Sequence, residues 1–212
     1  MEGNFMEAGS AKKILFPSGS LYLEGLLIQG ELSKAVVVSH PHPLYGGDLH
    51  NHVVGLIART FEESGWTSLR FNFRGVGRSQ GDFDQGAGEA DDVSAAVAYL
   101  KGLGLQHIVL AGYSFGAWVS AWAGLPHPDV QGSILVSPPA GMMDFSFLAQ
   151  DTKTRLIVVG DQDPYAPVLN IQNVIQSMPS PPPLKIIEGA DHFFSFGLEE
   201  VTAAIVAIQP SL

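Results

Sequence analysis

Apolar residues fall along this chain in two rhythms, one with the period of a strand and one with the period of a helix. Lys13–Phe16 and Leu21–Ile28 read as two strands of a hairpin turned at Pro17-Ser18-Gly19-Ser20, with Leu21, Leu23 and Leu26 to Ile28 on the buried side. Ala35–Ser39 (AVVVS) is a continuous apolar run of strand length, as expected of a strand covered on both faces. Helical spacing follows over Asn51–Ser64, where Val53, Val54, Leu56, Ile57, Ala58 and Phe61 make one stripe and Gly65 closes the helix. Trp66–Phe73 alternates like a strand. Glu89–Leu103 carries Val93, Ala96, Val97 and Leu100 at helical spacing, with Glu89, Asp91 and Asp92 in a first turn where the helix dipole favours them. Ile108–Ala111 is a short branched run, and Ala117–Ala123 reads as a helix. Further strands are expected at Val130–Ser137, Arg155–Val159 and Leu184–Ile187, and further helices at Val168–Met178 and Leu198–Ile208. From residue 35 onward strands and helices alternate, which predicts a mostly parallel twisted sheet with helices on both faces.

Composition narrows this to one globular domain. The chain has 212 residues, enough for a single sizeable core, and its 46% hydrophobic and 15% charged residues suit a packed interior. Residues 1–212 are read as one domain without internal repeats, with residues 1–11 as a frayed tail. The net charge of −10 argues against nucleic acid and anionic membrane as partners, since both need a basic face. The chain contains no cysteine, which excludes disulfides, thiolate metal sites and a cysteine nucleophile. The N-terminal sequence lacks the pattern of a secretory signal, and no stretch reaches the roughly 18 apolar residues of a bilayer span, so the cytoplasm is the expected location.

The chemistry concentrates where a strand meets a helix. Gly112-Tyr113-Ser114-Phe115-Gly116 lies between the Ile108 strand and the Ala117 helix, and G-x-S-x-G in that setting is a nucleophile elbow. A sharp turn thrusts Ser114 out of the sheet edge, glycines on either side let neighbouring chain pass closely, and the Phe115 amide sits at a helix N-terminus, aimed where an oxyanion would develop.

A serine hydroxyl needs a base, and the base needs an orienting acid. Asp161 and Asp163 both follow the Arg155 strand. Asp163, followed by proline, is the expected acid, and Asp161 the turn residue. Of seven histidines, His192 follows the last strand and completes the order Ser114, Asp163, His192. His107 begins its strand at the far edge of the sheet, His127 lies in a Pro-flanked loop, and His50 and His52 open a helix. Loops after parallel strands converge on one edge, where open α/β sheets bind ligands. The loop His40–Asp48 holds two prolines and a glycine pair. It reads as a fixed loop offering N–H groups from His42, Leu44 or Tyr45, and alternatively as a metal site using His40, His42, Asp48 or His50.

GYSFGAW, GDQDPYAP and GADHFF, in this order, with HPHPLYGGD and RFNFRGVGRSQGDFD, resemble the α/β-hydrolase superfamily. In particular they resemble its small, lidless bacterial members related to dienelactone hydrolases, which carry cysteine where this chain has Ser114. The resemblance spans about residues 20–208. It implies an α/β-hydrolase fold without a sizeable cap domain, a triad of Ser114, Asp163 and His192, and an oxyanion hole from the amides of Phe115 and Leu44. The implied activity is hydrolysis of small to medium esters or thioesters through an acyl-enzyme on Ser114, with no cofactor or metal. The same residues would serve an acyltransferase or peptidase, and a non-catalytic binding protein on this fold is the alternative from another class. His42, Tyr45, Tyr113, Met142 and Phe145 are the candidate substrate contacts. Met142, Met143, Phe145, Phe147 and Leu148 form either an apolar wall of the site or part of the core. The resemblance makes Arg74–Ser79 mainly a structural turn; the alternative is that Arg74 or Arg78 binds an anionic substrate. The expected partner is a small ester, and the sequence leaves the oligomeric state open.

Overall fold

The structure, a computed structural model, describes residues 10–212, so the expected N-terminal tail falls almost wholly outside it. Its centre is an eight-stranded sheet. The strands are β1 (Lys12–Ser18), β2 (Leu21–Ile28), β3 (Lys34–Ser39), β4 (Thr67–Phe71), β5 (His107–Tyr113), β6 (Val130–Val136), β7 (Thr154–Gly160) and β8 (Leu184–Ile187). Their spatial order is β1-β2-β4-β3-β5-β6-β7-β8. β1 and β2 form an antiparallel hairpin, β2 pairs antiparallel with β4, and the strands from β4 to β8 run parallel.

Five helices cover the sheet: α1 (His52–Glu62), α2 (Ala87–Gly102), α3 (Phe115–Gly124), α4 (Val168–Ser177) and α5 (Leu198–Ile208). The strand alternation decides which helix meets which side chain. Val36 and Val38 of β3 and Val109 and Ala111 of β5 pack under α1 and α5, with Ile57, Phe61, Val201 and Ile205. Their neighbours Ala35, Val37, Ile108 and Leu110 point to the other face, against Val93, Val97 and Val119 of α2 and α3. A third cluster joins Leu135, Ile157 and Val159 to Ile171 of α4. The unbroken run AVVVS therefore serves two cores, which is why it carries no polar alternation.

Boundaries shift from the sequence expectation for local reasons. Pro17 and Ser18 continue β1 rather than turning, since β1 is an edge strand where a missing N–H breaks no ladder bond. The hairpin turn is confined to Gly19-Ser20, with Gly19 at φ +56°. α2 starts two residues before Glu89 because the buried Glu89 carboxylate reaches back to the amides of Gly86 (2.6 Å) and Asp84 (2.9 Å). Asp92, expected to complement the helix dipole, is buried and bonded elsewhere. It accepts from Ser18 Oγ and forms a two-pronged ion pair with Arg74. No helix among the described residues is long and apolar enough to cross a membrane.

Candidate active site

Topology places the site at the seam between β3 and β5. The chain leaves β3 for β4 on one side and returns to β5 on the other, so the loops after β3 and β5 diverge and leave a crevice. Ser39 pairs with Gly112, which brings the His40 loop and the Ser114 turn side by side. The Ser120 hydroxyl donates to Ser39 Oγ (2.9 Å) and ties α3 to the end of β3.

Ser114 sits at φ +56°, ψ −122°, a conformation that L side chains rarely adopt and that only a crowded surrounding maintains. A Cβ on Gly116 would press into the carbonyl oxygens of Ser39 and His40, and one on Gly112 into the carbonyl of Gly116. These two glycines are the close-approach positions that the motif predicts.

The three loops converge. His192 Nε2 accepts from the Ser114 hydroxyl at 2.9 Å, and His192 Nδ1 donates to Asp163 Oδ2 at 2.7 Å, in the tautomer that this network dictates. Asp163 Oδ1 accepts the amides of Tyr165 and Ala166, both at 2.9 Å. Burial pushes the Asp163 carboxyl up. The hydrogen bond from His192 Nδ1–H, with the Ala166 amide, outweighs it and holds the group below its ordinary value. The Ser137 hydroxyl is buried just past the end of β6, on a residue with φ +43°, and has no hydrogen-bond partner among the described residues. Asp161 accepts the Gly189 amide (2.6 Å) and so acts as the turn residue. Asp191 faces away and binds the amide and hydroxyl of Ser195.

The amides around Ser114 divide into used and free. Phe115 N–H, at the first position of α3, has no partner among the described residues. In the loop after β3 the expected donor, Leu44, is not free: its N–H donates to His42 Nδ1 (3.2 Å), and Leu44 lies outside the crevice lining. Tyr45 N–H is taken by the His42 carbonyl (3.1 Å), and prolines 41 and 43 have no N–H. Of the three candidate amides, that of His42 alone has no partner among the described residues. The sequence left three amides open, and counting along the loop does not tell which turns outward.

His40 is buried and held at both ring nitrogens, with Nδ1–H donating to the Pro41 carbonyl (2.6 Å) and Nε2 accepting from Phe73 N–H (3.1 Å). Burial lowers its pKa to about 4. Among the described residues no three His, Cys, Asp or Glu side chains group as metal ligands, so the metal alternative for this loop finds no cluster. His52 bonds the Phe193 carbonyl at 2.9 Å, and Asn51, not a histidine, caps α1.

A hollow of about 700 Å³ opens over Ser114 and His192. His42, Tyr45, Met142, Met143, Tyr165 and Phe193 form much of its wall, and no lysine, arginine or carboxylate lines it among the described residues. Tyr45 and Met142, expected substrate contacts, are there and exposed. Tyr113 touches the hollow, but its hydroxyl is committed to the His192 carbonyl (2.8 Å), and burial raises the phenol's pKa. Phe145 is a correction: it is 3% exposed, stacks on Phe147 and belongs to the core beneath. The expected apolar wall is thus split, with Met142 and Met143 in the hollow and Phe145 and Leu148 in the core. The sequence reasoning missed Tyr165 and Phe193. Both stand beside triad residues, Tyr165 two after Asp163 and Phe193 next to His192, and that proximity was the available signal. Arg74 is occupied by Asp92, and Arg78 is exposed away from the hollow, so the Arg74–Ser79 loop is a structural turn.

Comparison with known proteins agrees with the architecture. The family model of the alpha/beta hydrolase fold matches residues 42–155. An uncharacterised protein of Rickettsia prowazekii is 36% identical over 195 residues, covering 84% of this chain and 82% of its own. An alpha-beta serine hydrolase homologue from Coxiella burnetii is 35% identical, with a TM-score of 0.87 over 92% of this chain and 96% of its own. A lidless α/β serine hydrolase from Xanthomonas campestris is 30% identical, with a TM-score of 0.89 over 98% of this chain and 97% of its own. By sequence match and by fold, this chain belongs to the α/β hydrolase family.

Proposed function

We propose that the protein is a serine hydrolase that cleaves small to medium neutral carboxylic esters or thioesters through an acyl-enzyme on Ser114. The observation that carries this reading is the unbroken hydrogen-bonded line from Ser114 Oγ through His192 to Asp163. His192 takes the hydroxyl proton as Ser114 attacks the carbonyl carbon, and Asp163 stabilises the imidazolium that forms. The tetrahedral oxygen is received by the free amides of Phe115 and His42, the former with the dipole of α3 behind it. The alcohol or thiol leaves with the proton from His192. Water then enters and gives up one of its own protons to His192 as it attacks the acyl carbon; His192 passes that proton to Ser114 Oγ as the acyl–oxygen bond breaks, which frees the acid and restores Ser114.

Two further features support ester hydrolysis over the other readings. The hollow opens to solvent, with no cap segment among the described residues, so water reaches the acyl-enzyme and competes with other acceptors. Among the described residues its wall carries no lysine or arginine for a substrate carboxylate or phosphate, which favours neutral substrates. The serine hydrolase relatives from Coxiella burnetii and Xanthomonas campestris point the same way.

The test is a panel of p-nitrophenyl esters of rising acyl length with the protein and its Ser114→Ala variant. Short and medium esters are expected to be cleaved fastest, and the variant to lose about 10⁴-fold or more in kcat while keeping its fold. Full activity in the variant, or no cleavage by the unaltered protein, would contradict the proposal. A non-catalytic binding protein would give the second result.

A further inference from the structure

The amide that completes the oxyanion pair is itself held in place by a side chain. We propose that the His42 imidazole is a positioning residue, whose Nδ1 braces the loop that aims the His42 N–H at the tetrahedral oxygen. The inference rests on the acyl-transfer reading of Ser114.

The segment from Pro41 to Gly47 folds back on His42. Two prolines remove two of the amides with which a loop normally braces itself. Of the five that remain, the His42 carbonyl accepts Tyr45 N–H (3.1 Å) and Gly47 N–H (3.1 Å), and the Pro43 carbonyl accepts Gly46 N–H (3.3 Å). Leu44 N–H has no backbone acceptor and is taken by His42 Nδ1 at 3.2 Å. Every acceptor that His42 offers on this side is therefore used within the loop, and its own N–H is the group left free. Gly47 must pass so close to Pro41 that a Cβ there would strike the Pro41 carbonyl, so the loop has little slack to find another arrangement.

The ring also joins the two halves of the oxyanion site. Its centroid lies 4.9 Å from that of Phe115, the residue that supplies the other amide, 4.9 Å from Phe83 and 4.8 Å from Tyr45. Accepting from Leu44 requires an unprotonated Nδ1, hence a neutral ring. Burial favours that state, against the weaker pull of the Glu89 carboxylate.

Two roles are separable by substitution. Asparagine carries an acceptor at the same branch from Cγ as Nδ1 but no ring, while phenylalanine keeps the aromatic body and has no acceptor. The experiment compares kcat and KM for a short p-nitrophenyl ester among the unaltered protein, His42→Phe and His42→Asn, and measures inhibition by phenylboronic acid, which forms a tetrahedral adduct on serine. Thermal melts followed by circular dichroism verify that each variant is folded. His42→Phe is expected to lower kcat about 10- to 100-fold with KM within about threefold, and to weaken phenylboronic acid in parallel. His42→Asn is expected to recover most of that loss. An active protein whose His42→Phe variant keeps its kcat overturns this inference alone, as does equal loss in both variants, which would assign the effect to the ring. An unaltered protein with no turnover and an unreactive Ser114 overturns the acyl-transfer reading and this inference with it.

Discussion

The convergence of Ser114, Asp163 and His192 was legible because Ser114 directly follows β5 and the other two lie on the loops after β7 and β8, and in a parallel sheet such loops meet at one edge. Leu44 and Phe145 were misplaced because nothing in residue order says which amide turns outward or which phenylalanine turns under. His40 was read as part of a fixed loop, with a metal ligand as the alternative; what the sequence did not show is that the ring itself is buried and braces the backbone. That burial has a measurable consequence. The unfolded chain binds a proton at His40 near the ordinary histidine value of 6.5, and the folded protein only near 4. The stability contributed by neutral His40 is therefore complete above about pH 6.5 and is lost as pH falls toward 4. Urea unfolding at pH 7 and pH 5 is expected to show a loss of about 2 kcal/mol from this residue, at about 1.4 kcal/mol per unit. In an NMR titration the ring should remain neutral down to about pH 4; titration near 6.5 would show that it is not shielded as described.

At the level of elements, the alternation of strand and helix was readable throughout, and β8 and α5 begin and end where the pattern placed them. What the pattern could not show was how closely the elements approach. The turn between β5 and α3 works because Gly116 lets the helix start against the carbonyls of Ser39 and His40. Gly116→Ala is expected to push the loop after β3 away from Ser114 and separate the two free amides. The expected effects are a loss of at least about 10-fold in kcat and of about 1–3 kcal/mol in urea stability, from overpacking against backbone that cannot rotate aside. A variant with unchanged turnover and stability would mean that the two loops do not depend on this contact.

For the whole molecule, hydrophobic pattern and charge gave the layers but not the strand order. That order depends on pairings between distant segments: β3 lies between β4 and β5, and this insertion creates the crevice. A second hollow of about 670 Å³, near Glu31, Glu62 and Trp66, holds none of the triad and has no part in the chemistry proposed. The whole arrangement brings one strained serine, one imidazole and one buried carboxylate to the rim of an open hollow without a lysine, arginine or carboxylate among its described lining residues. Whether that serine is a nucleophile is tested most directly by intact-mass and peptide-mass measurement after treatment with a fluorophosphonate. The account predicts a single adduct on Ser114, absent from Ser114→Ala and slowed by about 10³-fold or more in His192→Ala. An unlabelled protein, or an adduct on another residue, would contradict it.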